Sequence, residues 1–219
     1  MSTRIWDISP PVQEGAPVFP GDTPYRQRWA AQIAPGCPVN VSEITLSPHV
    51  GAHADAPLHY DPTGQTSGQL ALEPYLGPCR VIHAIGKGPL VTWEHLAHAA
   101  RDLPARVLVR TYERAPVERW DPQLAAFAAA TIEQLADLGV LLVGIDTASI
   151  DPAESKELPS HQAIRRRRLR VLENLVLDDV AEGDYELIAL PLKLMTADAS
   201  PVRAILREIP NPAPSSDLP

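Results

Sequence analysis

The 219-residue sequence predicts a single α/β domain of short, mostly mixed strands with a few helices. Three observations predict it. Short apolar runs such as Arg106 to Thr111 (RVLVRT) and Val140 to Ile145 (VLLVGI) are interleaved with Ala- and Leu-rich stretches of helical character. Apolar residues make up 45% of the chain and charged residues 21%, which is ordinary globular usage. The 24 prolines, about twice what average usage would give, concentrate in the first 80 residues and the last ten, so long helices are excluded from the first third.

Taken in order, Pro10, Pro11, Pro17, Pro20 and Pro24 cut the N-terminal segment into short extended pieces, with a turn at Phe19-Pro20-Gly21-Asp22. Val39 to Leu46 alternates as a strand, Arg80 to Ile85 reads as another, and Trp93 to Ala100 as a helix capped by Thr92. Arg106 to Thr111 is a strand. Pro122 to Leu138 reads as a helix, with Asp121 as N-cap and Gly139 just past its end, and it feeds the buried strand Val140 to Ile145. Leu187 to Leu194 and Val202 to Glu208 supply two more strands. The domain is expected to span residues 1–209, with 210–219 as a flexible Pro- and Ser-rich tail.

A formal net charge of -8 argues against nucleic acid or an anionic membrane as the main partner. The basic run Arg165 to Arg168 is too short to reverse this and reads as a solvated helix face or a dimer salt-bridge patch. The N-terminus lacks the apolar stretch of a secretory signal, and no run approaches the roughly 18 apolar residues of a membrane span. Cys37 and Cys79 are then expected as unbridged thiols in a cytoplasmic protein. Gly86-Lys87-Gly88-Pro89 lacks the pattern of a nucleotide loop, and no Gly-x-Ser-x-Gly elbow occurs.

The chemistry concentrates in PHVGAHADAPLHY, Pro48 to Tyr60. His49, Gly51, His53, Asp55, Pro57 and His59 occupy the odd positions, and apolar residues or Tyr60 the even ones. A period of two on an extended backbone places the polar groups on one side, whereas a helix would scatter them. Imidazole and carboxylate are ligands for zinc and similar cations. His49, His53 and Asp55 would supply three from one piece of backbone, and two carboxylate oxygens allow Asp55 to bridge. Small neighbours leave room for an ion.

This run resembles the His-x-Gly-Thr-His-x-Asp-x-Pro-x-His signature of the cyclase-like metal-dependent hydrolases. The resemblance extends from Trp6-Asp7-Ile8-Ser9 and Pro17-Val18-Phe19-Pro20-Gly21-Asp22 to His161 and Glu173-Asn174-Leu175. Ala52 stands where the signature has threonine, which removes a hydroxyl but no ligand. The resemblance implies a swivelling β/β/α fold, a homodimer and two divalent cations per chain, zinc or alternatively manganese. It implies hydrolysis of N-formyl-L-kynurenine to L-kynurenine and formate by a metal-bound hydroxide. Other readings are a cyclic-amide hydrolase of the same family, and a metal-binding protein without turnover.

By the same resemblance, His49, His53, Asp55 and Glu173 surround one cation and Asp55, His161 and Glu173 the other. His59 is left as the acid/base that carries the proton, and Phe19 contacts the substrate. From the residues alone, Glu173 reads as a solvated charge and Phe19 equally as a loop anchor. His161 follows a loop after the buried strand Val140 to Ile145, a placement that favours active-site groups. A straight helix from 161 to 173 would separate its ends by roughly 18 Å. A short helix, His161 to Arg168, followed by a strand, Leu169 to Glu173, would let the chain turn back to a shared centre, and the alternation of Leu169, Val171 and Glu173 permits it. His83, His95 and His98 are expected to lie outside the site.

Overall fold

The computed structural model describes residues 3–209, and the expected tail 210–219 lies outside the described residues. In chain order the strands are β1 (Ile5–Asp7), β2 (Arg26–Ala31), β3 (Val41–Thr45), β4 (His53–Asp55), β5 (Leu76–His83), β6 (Leu90–Val91) and β7 (Arg106–Arg110). They continue with β8 (Ala126–Phe127), β9 (Leu142–Ile145), β10 (Arg170–Glu173), β11 (Gly183–Ile188), β12 (Ala199–Pro201) and β13 (Ile205–Glu208). The α-helices are α1 (Trp93–Leu96), α2 (Ala129–Asp137) and α3 (Pro159–Arg167).

The apolar runs β5, β7, β9 and β10 lie side by side and parallel. Their crossovers carry α1, α2 and α3 in turn, the connection that parallel strands need. Antiparallel strands extend this centre on both sides, giving the nine-stranded order β1-β13-β11-β5-β7-β9-β10-β4-β12. Alternate side chains along the central strands serve two cores. Val107, Val109, Val143 and Val171 pack with Leu96 of α1, Ile132 of α2 and Ile164 of α3. Leu108, Leu142 and Leu172 face the other way and meet Ala54 of β4, Leu187 of β11 and Leu206 of β13. Strands from both ends of the sheet share that second core, so the sheet curls on itself. Gly144 sits at its tightest point, where a Cβ would come within 2.4 Å of Leu108 Cδ2.

Several elements depart from the sequence reading. The helix expected from Pro122 starts at Ala129. Before it, Phe127 N–H donates to Ile150 O and Ala128 N–H to Val91 O, while β8 pairs with β6. Strand pairing and burial of the Phe127 ring outweigh the helix propensity of the Ala- and Leu-rich run. Asp121 is a turn residue instead of a cap, accepting from Gln123 N–H at 2.9 Å and from the Tyr112 hydroxyl at 2.8 Å. The strand expected over Leu187 to Leu194 lies earlier, at Gly183–Ile188. Pro191 has no N–H for a ladder, and Leu190, Leu192 and Leu194 are exposed. Only Ile205–Glu208 of the last expected strand is extended. The helix capped by Thr92 is a single α turn followed by a 3-10 turn, Ala97–Ala99.

The helix-then-strand expected between His161 and Glu173 is present. α3 ends at Arg167, Arg168 adopts a left-handed conformation with φ of 55°, and β10 begins at Arg170. The arginines on this helix pair on the surface, Arg165 with Asp61 and Arg166 with Glu133, as a solvated face would. No helix among the described residues is long and apolar enough to cross a membrane.

Candidate metal centre

Two neighbouring strands build the floor of the site. β4 and β10 run antiparallel with Glu173 opposite His53 and Val171 opposite Asp55. His53 and Asp55, two apart on one strand, share a face, and Glu173 projects beside them. All three are buried.

Of the extended segment or open loop expected over Pro48 to Tyr60, only His53–Asp55 is strand. His49 sits in a turn ahead of Gly51, whose φ of +69° favours glycine and where a Cβ would lie 2.6 Å from Val12 Cγ2. His59 closes a 3-10 turn, Pro57–His59, that Pro57 initiates. Both rings still reach the floor, but by turns at each end of a short strand. His161 arrives from the first turn of α3.

Four histidines and two carboxylates thus converge. His49 Nδ1 lies 3.1 Å from Asp55 Oδ1 and His53 Nε2 lies 3.5 Å from the same oxygen. His53 Nε2 is also 3.2 Å from Glu173 Oε2. On the other side, His161 Nε2 lies 3.2 Å from Asp55 Oδ2 and 3.5 Å from Glu173 Oε1. Each carboxylate therefore directs one oxygen to each side.

The outer ring nitrogens are all engaged. His53 Nδ1 donates to Gly51 O at 2.9 Å and His161 Nδ1 to Asp151 Oδ2 at 2.7 Å. His49 Nε2 donates to Asp198 Oδ2 at 3.0 Å. With the outer nitrogen protonated, each ring can turn a lone pair inward, as metal-ligating histidines do when a carboxylate or carbonyl accepts from their other nitrogen. Asp151 is itself fixed by N–H groups of Ser160 and His161.

These residues fit divalent cations. Ligands about 2.0–2.1 Å from a tetrahedral ion stand roughly 3.3 Å from one another, and the inward separations here are 3.1–3.5 Å. Asp55 Oδ1 is buried without a hydrogen-bond partner, although His49 Nδ1 is only 3.1 Å away. Among the described residues, His53, Asp55 and Glu173 form one group whose donor atoms all lie within 4.8 Å, and His49, Asp55 and His59 form another. The second group admits His59 as a ligand, yet His59 Nδ1 lies 3.2 Å from Asp198 Oδ2 and its side chain is 32% exposed. It shares Asp198 with His49, and the two rings lie tilted at 47° with centroids 4.4 Å apart.

The charges reinforce one another. Burial alone would lower the pKa of His49, but Asp198 and Asp55 outweigh it and hold it at about 10. His161 is likewise raised to about 10 against its burial, by Asp151 and Asp55. Burial opposes ionisation of Asp55, and the surrounding imidazoles, His161 and His49 first, nevertheless hold it well below the usual range. A cation at this centre would replace the inward protons of these rings.

Above the floor opens a cavity of about 410 Å³. Phe19 lies on its wall, in a turn closed by Asp22 N–H donating to Phe19 O at 2.9 Å. Its ring meets Trp120 edge-on at 5.0 Å between centroids. Of the expected site residues, His49, His53, His59, His161, Glu173 and Phe19 line this one space, and Asp55 lies buried against His49, His53 and His161. His83, His95 and His98 bond elsewhere, to Val180 O, Thr92 and Glu182. Sequence reasoning missed Asp151, Asp198 and Trp120. Asp151 opens the loop already noted before His161, but Asp198 carries no local signal.

Comparison with known proteins gives concordant results. Residues 6–152 match the family described as "Putative cyclase". A kynurenine formamidase of Delftia acidovorans is 75% identical over 209 residues, covering 95% of this chain and 100% of that protein. One of Paracidovorax citrulli is 73% identical over 93% of this chain and 96% of its own length. A solved structure of a potential metal-dependent hydrolase with cyclase activity superimposes with a TM-score of 0.83, at 27% identity, over 96% of this chain and 100% of that one.

Proposed function

The chain belongs to the cyclase family, and from that premise we propose that it hydrolyses N-formyl-L-kynurenine to L-kynurenine and formate, a step of tryptophan breakdown, using two divalent cations. The identity of 75% to a kynurenine formamidase over nearly the whole chain supports the substrate. The observation that carries the metal-dependent mechanism is the division of Asp55 and Glu173, each with one oxygen towards His161 and the other towards His53 or His49.

His49, His53, Asp55 and Glu173 would hold one cation, and Asp55, His161 and Glu173 the other, zinc by family resemblance, with manganese as the alternative. When bound, such ions polarise a carbonyl and lower the pKa of a coordinated water towards 7. Everything else falls to the chain's own side chains. Gly51 O, Asp151 and Asp198 hold the histidine rings in one orientation. His59, with Nδ1 tied to Asp198 and Nε2 left to exchange a proton, takes the proton released as water adds to the formyl carbon. It then delivers that proton to the departing aryl amine. Phe19 and Trp120 offer an aromatic wall to the aryl ketone.

The protein acts as a homodimer in this reading. The exposed apolar side chains of Trp29, Ile33, Val41 and Ile44 on and beside the β2–β3 ribbon support an interface, and light scattering measures it. The decisive experiment quantifies metal per chain and follows formate release from N-formylkynurenine before and after chelation, with isatin as a cyclic-amide control. Activity that disappears with chelation and returns with metal is expected. Two metals per chain without formate release would reject the reaction and leave the metal centre standing.

A further inference from the structure

The mouth of the cavity poses an electrostatic problem for the proposed substrate. The cavity is lined by Asp22, Asp121, Asp146, Asp198 and Glu173, in a chain of net charge -8. N-formylkynurenine carries an α-carboxylate beside an α-ammonium at the end remote from its formyl group. With the formyl group on the floor beside His59, that carboxylate points to the rim. The acidic walls can face the ammonium, but the carboxylate needs positive charge.

Among the described lining residues, Arg119 and Lys156 are the only lysine or arginine side chains. They come from different loops, both anchored to the site. Arg119 precedes Trp120, which packs on Phe19, and its segment is tied down where Ala115 N–H donates to Asp178 Oδ1 at 2.9 Å. Lys156 lies between Asp151, which holds His161, and the start of α3 at Pro159. Half of the sixteen arginines of this acidic chain are already paired with carboxylates, as in Arg28 with Glu43, Arg80 with Asp184 and Arg207 with Glu186. Among the described residues, Arg119 and Lys156 pair with no carboxylate. Both are exposed and able to reorient.

We propose that Arg119 and Lys156 form a carboxylate-binding subsite at the rim, selecting formamides that carry an amino-acid carboxylate over neutral aryl formamides. This rests on the preceding functional reading and deepens it. A guanidinium offers paired donors in the plane of a carboxylate, and an ammonium adds a point charge from a second loop. The pair would also offset the acidic walls beside the carboxylate of this zwitterionic substrate.

The test compares wild type with R119Q, K156Q and the double variant on N-formyl-L-kynurenine and on 2-formamidoacetophenone, which lacks the amino-acid group. The double variant is expected to raise KM for N-formyl-L-kynurenine about tenfold, from two rim ion pairs of up to about fivefold each. The ratio of kcat/KM for the acid over the neutral substrate falls by the same factor, and R119K/K156R restores much of it. A ratio unchanged from wild type would overturn the subsite. If wild type cleaves neither substrate, the functional reading itself fails. Binding of kynurenine, measured by calorimetry, then decides the subsite alone: binding weakened about tenfold in the double variant upholds it, and equal binding removes it.

Discussion

Asp198 Oδ2 lies 3.2 Å from His59 Nδ1, although 139 residues separate the two in sequence. The same oxygen accepts from His49 Nε2 at 3.0 Å. One carboxylate thus orients both the proposed proton carrier and a proposed ligand, and its own pKa is held well below the ordinary carboxylate range, first by the hydrogen bond from His49. Replacing Asp198 with asparagine should lower kcat about 10- to 100-fold at saturating metal and weaken metal affinity within a similar range. Steady-state kinetics across a metal titration measures both, and a variant indistinguishable from wild type would remove Asp198 from the site.

His59→Ala separates two roles for that ring. As proton carrier, its loss should cut turnover by about 10² or more while metal per chain stays at the wild-type value. Elemental analysis of the purified variant is the check. Loss of metal would make His59 a ligand, as its grouping with His49 and Asp55 permits.

Gly64 supports the turn that presents His59. A Cβ at position 64 would lie 2.4 Å from the Pro57 carbonyl carbon and 2.6 Å from Leu58 N. Backbone cannot yield as a flexible side chain does, so Gly64→Ala should destabilise the fold by about 1–3 kcal/mol. Turnover should fall while His53, Asp55 and Glu173 keep their metal. Denaturant melts and metal analysis on one preparation test the two parts together.

Chelation should make stability depend on pH in a definite direction. His49 and His161 are each raised from 6.5 to about 10, so their protons stabilise the chelated fold fully below about pH 6.5. That contribution is lost as pH rises towards 10. Melting temperature of chelated protein should therefore fall between pH 7 and 10, and more steeply than that of metal-loaded protein. Metal binding at pH 7 should release protons, seen by calorimetry in buffers of different ionisation enthalpy. A chelated protein whose stability rises over that range would refute the assignment.

Legibility from sequence varied with how local each feature's cause is. The break between α3 and β10 was readable because Leu169, Val171 and Glu173 alternate and one straight helix could not join His161 to Glu173. The Ala- and Leu-rich run from Pro122 misled, because the burial of Phe127 and the pairing of β8 with β6 depend on β6, more than 30 residues away in the chain. The Leu187 to Leu194 run misled for a related reason: Pro191 and the exposure of its leucines end the strand at Ile188.

The sequence by itself determined the chemical inventory: three histidines and an aspartate within eleven residues, two further ligands of the right types, and the family they resemble. Only the tertiary structure decided that His49 and His59 reach the floor by turns, that Asp151 and Asp198 hold the ring nitrogens, and that Arg119 and Lys156 line one cavity. A metal-binding stretch shows in sequence because one backbone segment sets the spacing of its ligands. The partners that orient those ligands do not, because an aspartate acquires its role only from the chain packing that brings it within about 3 Å of a ring.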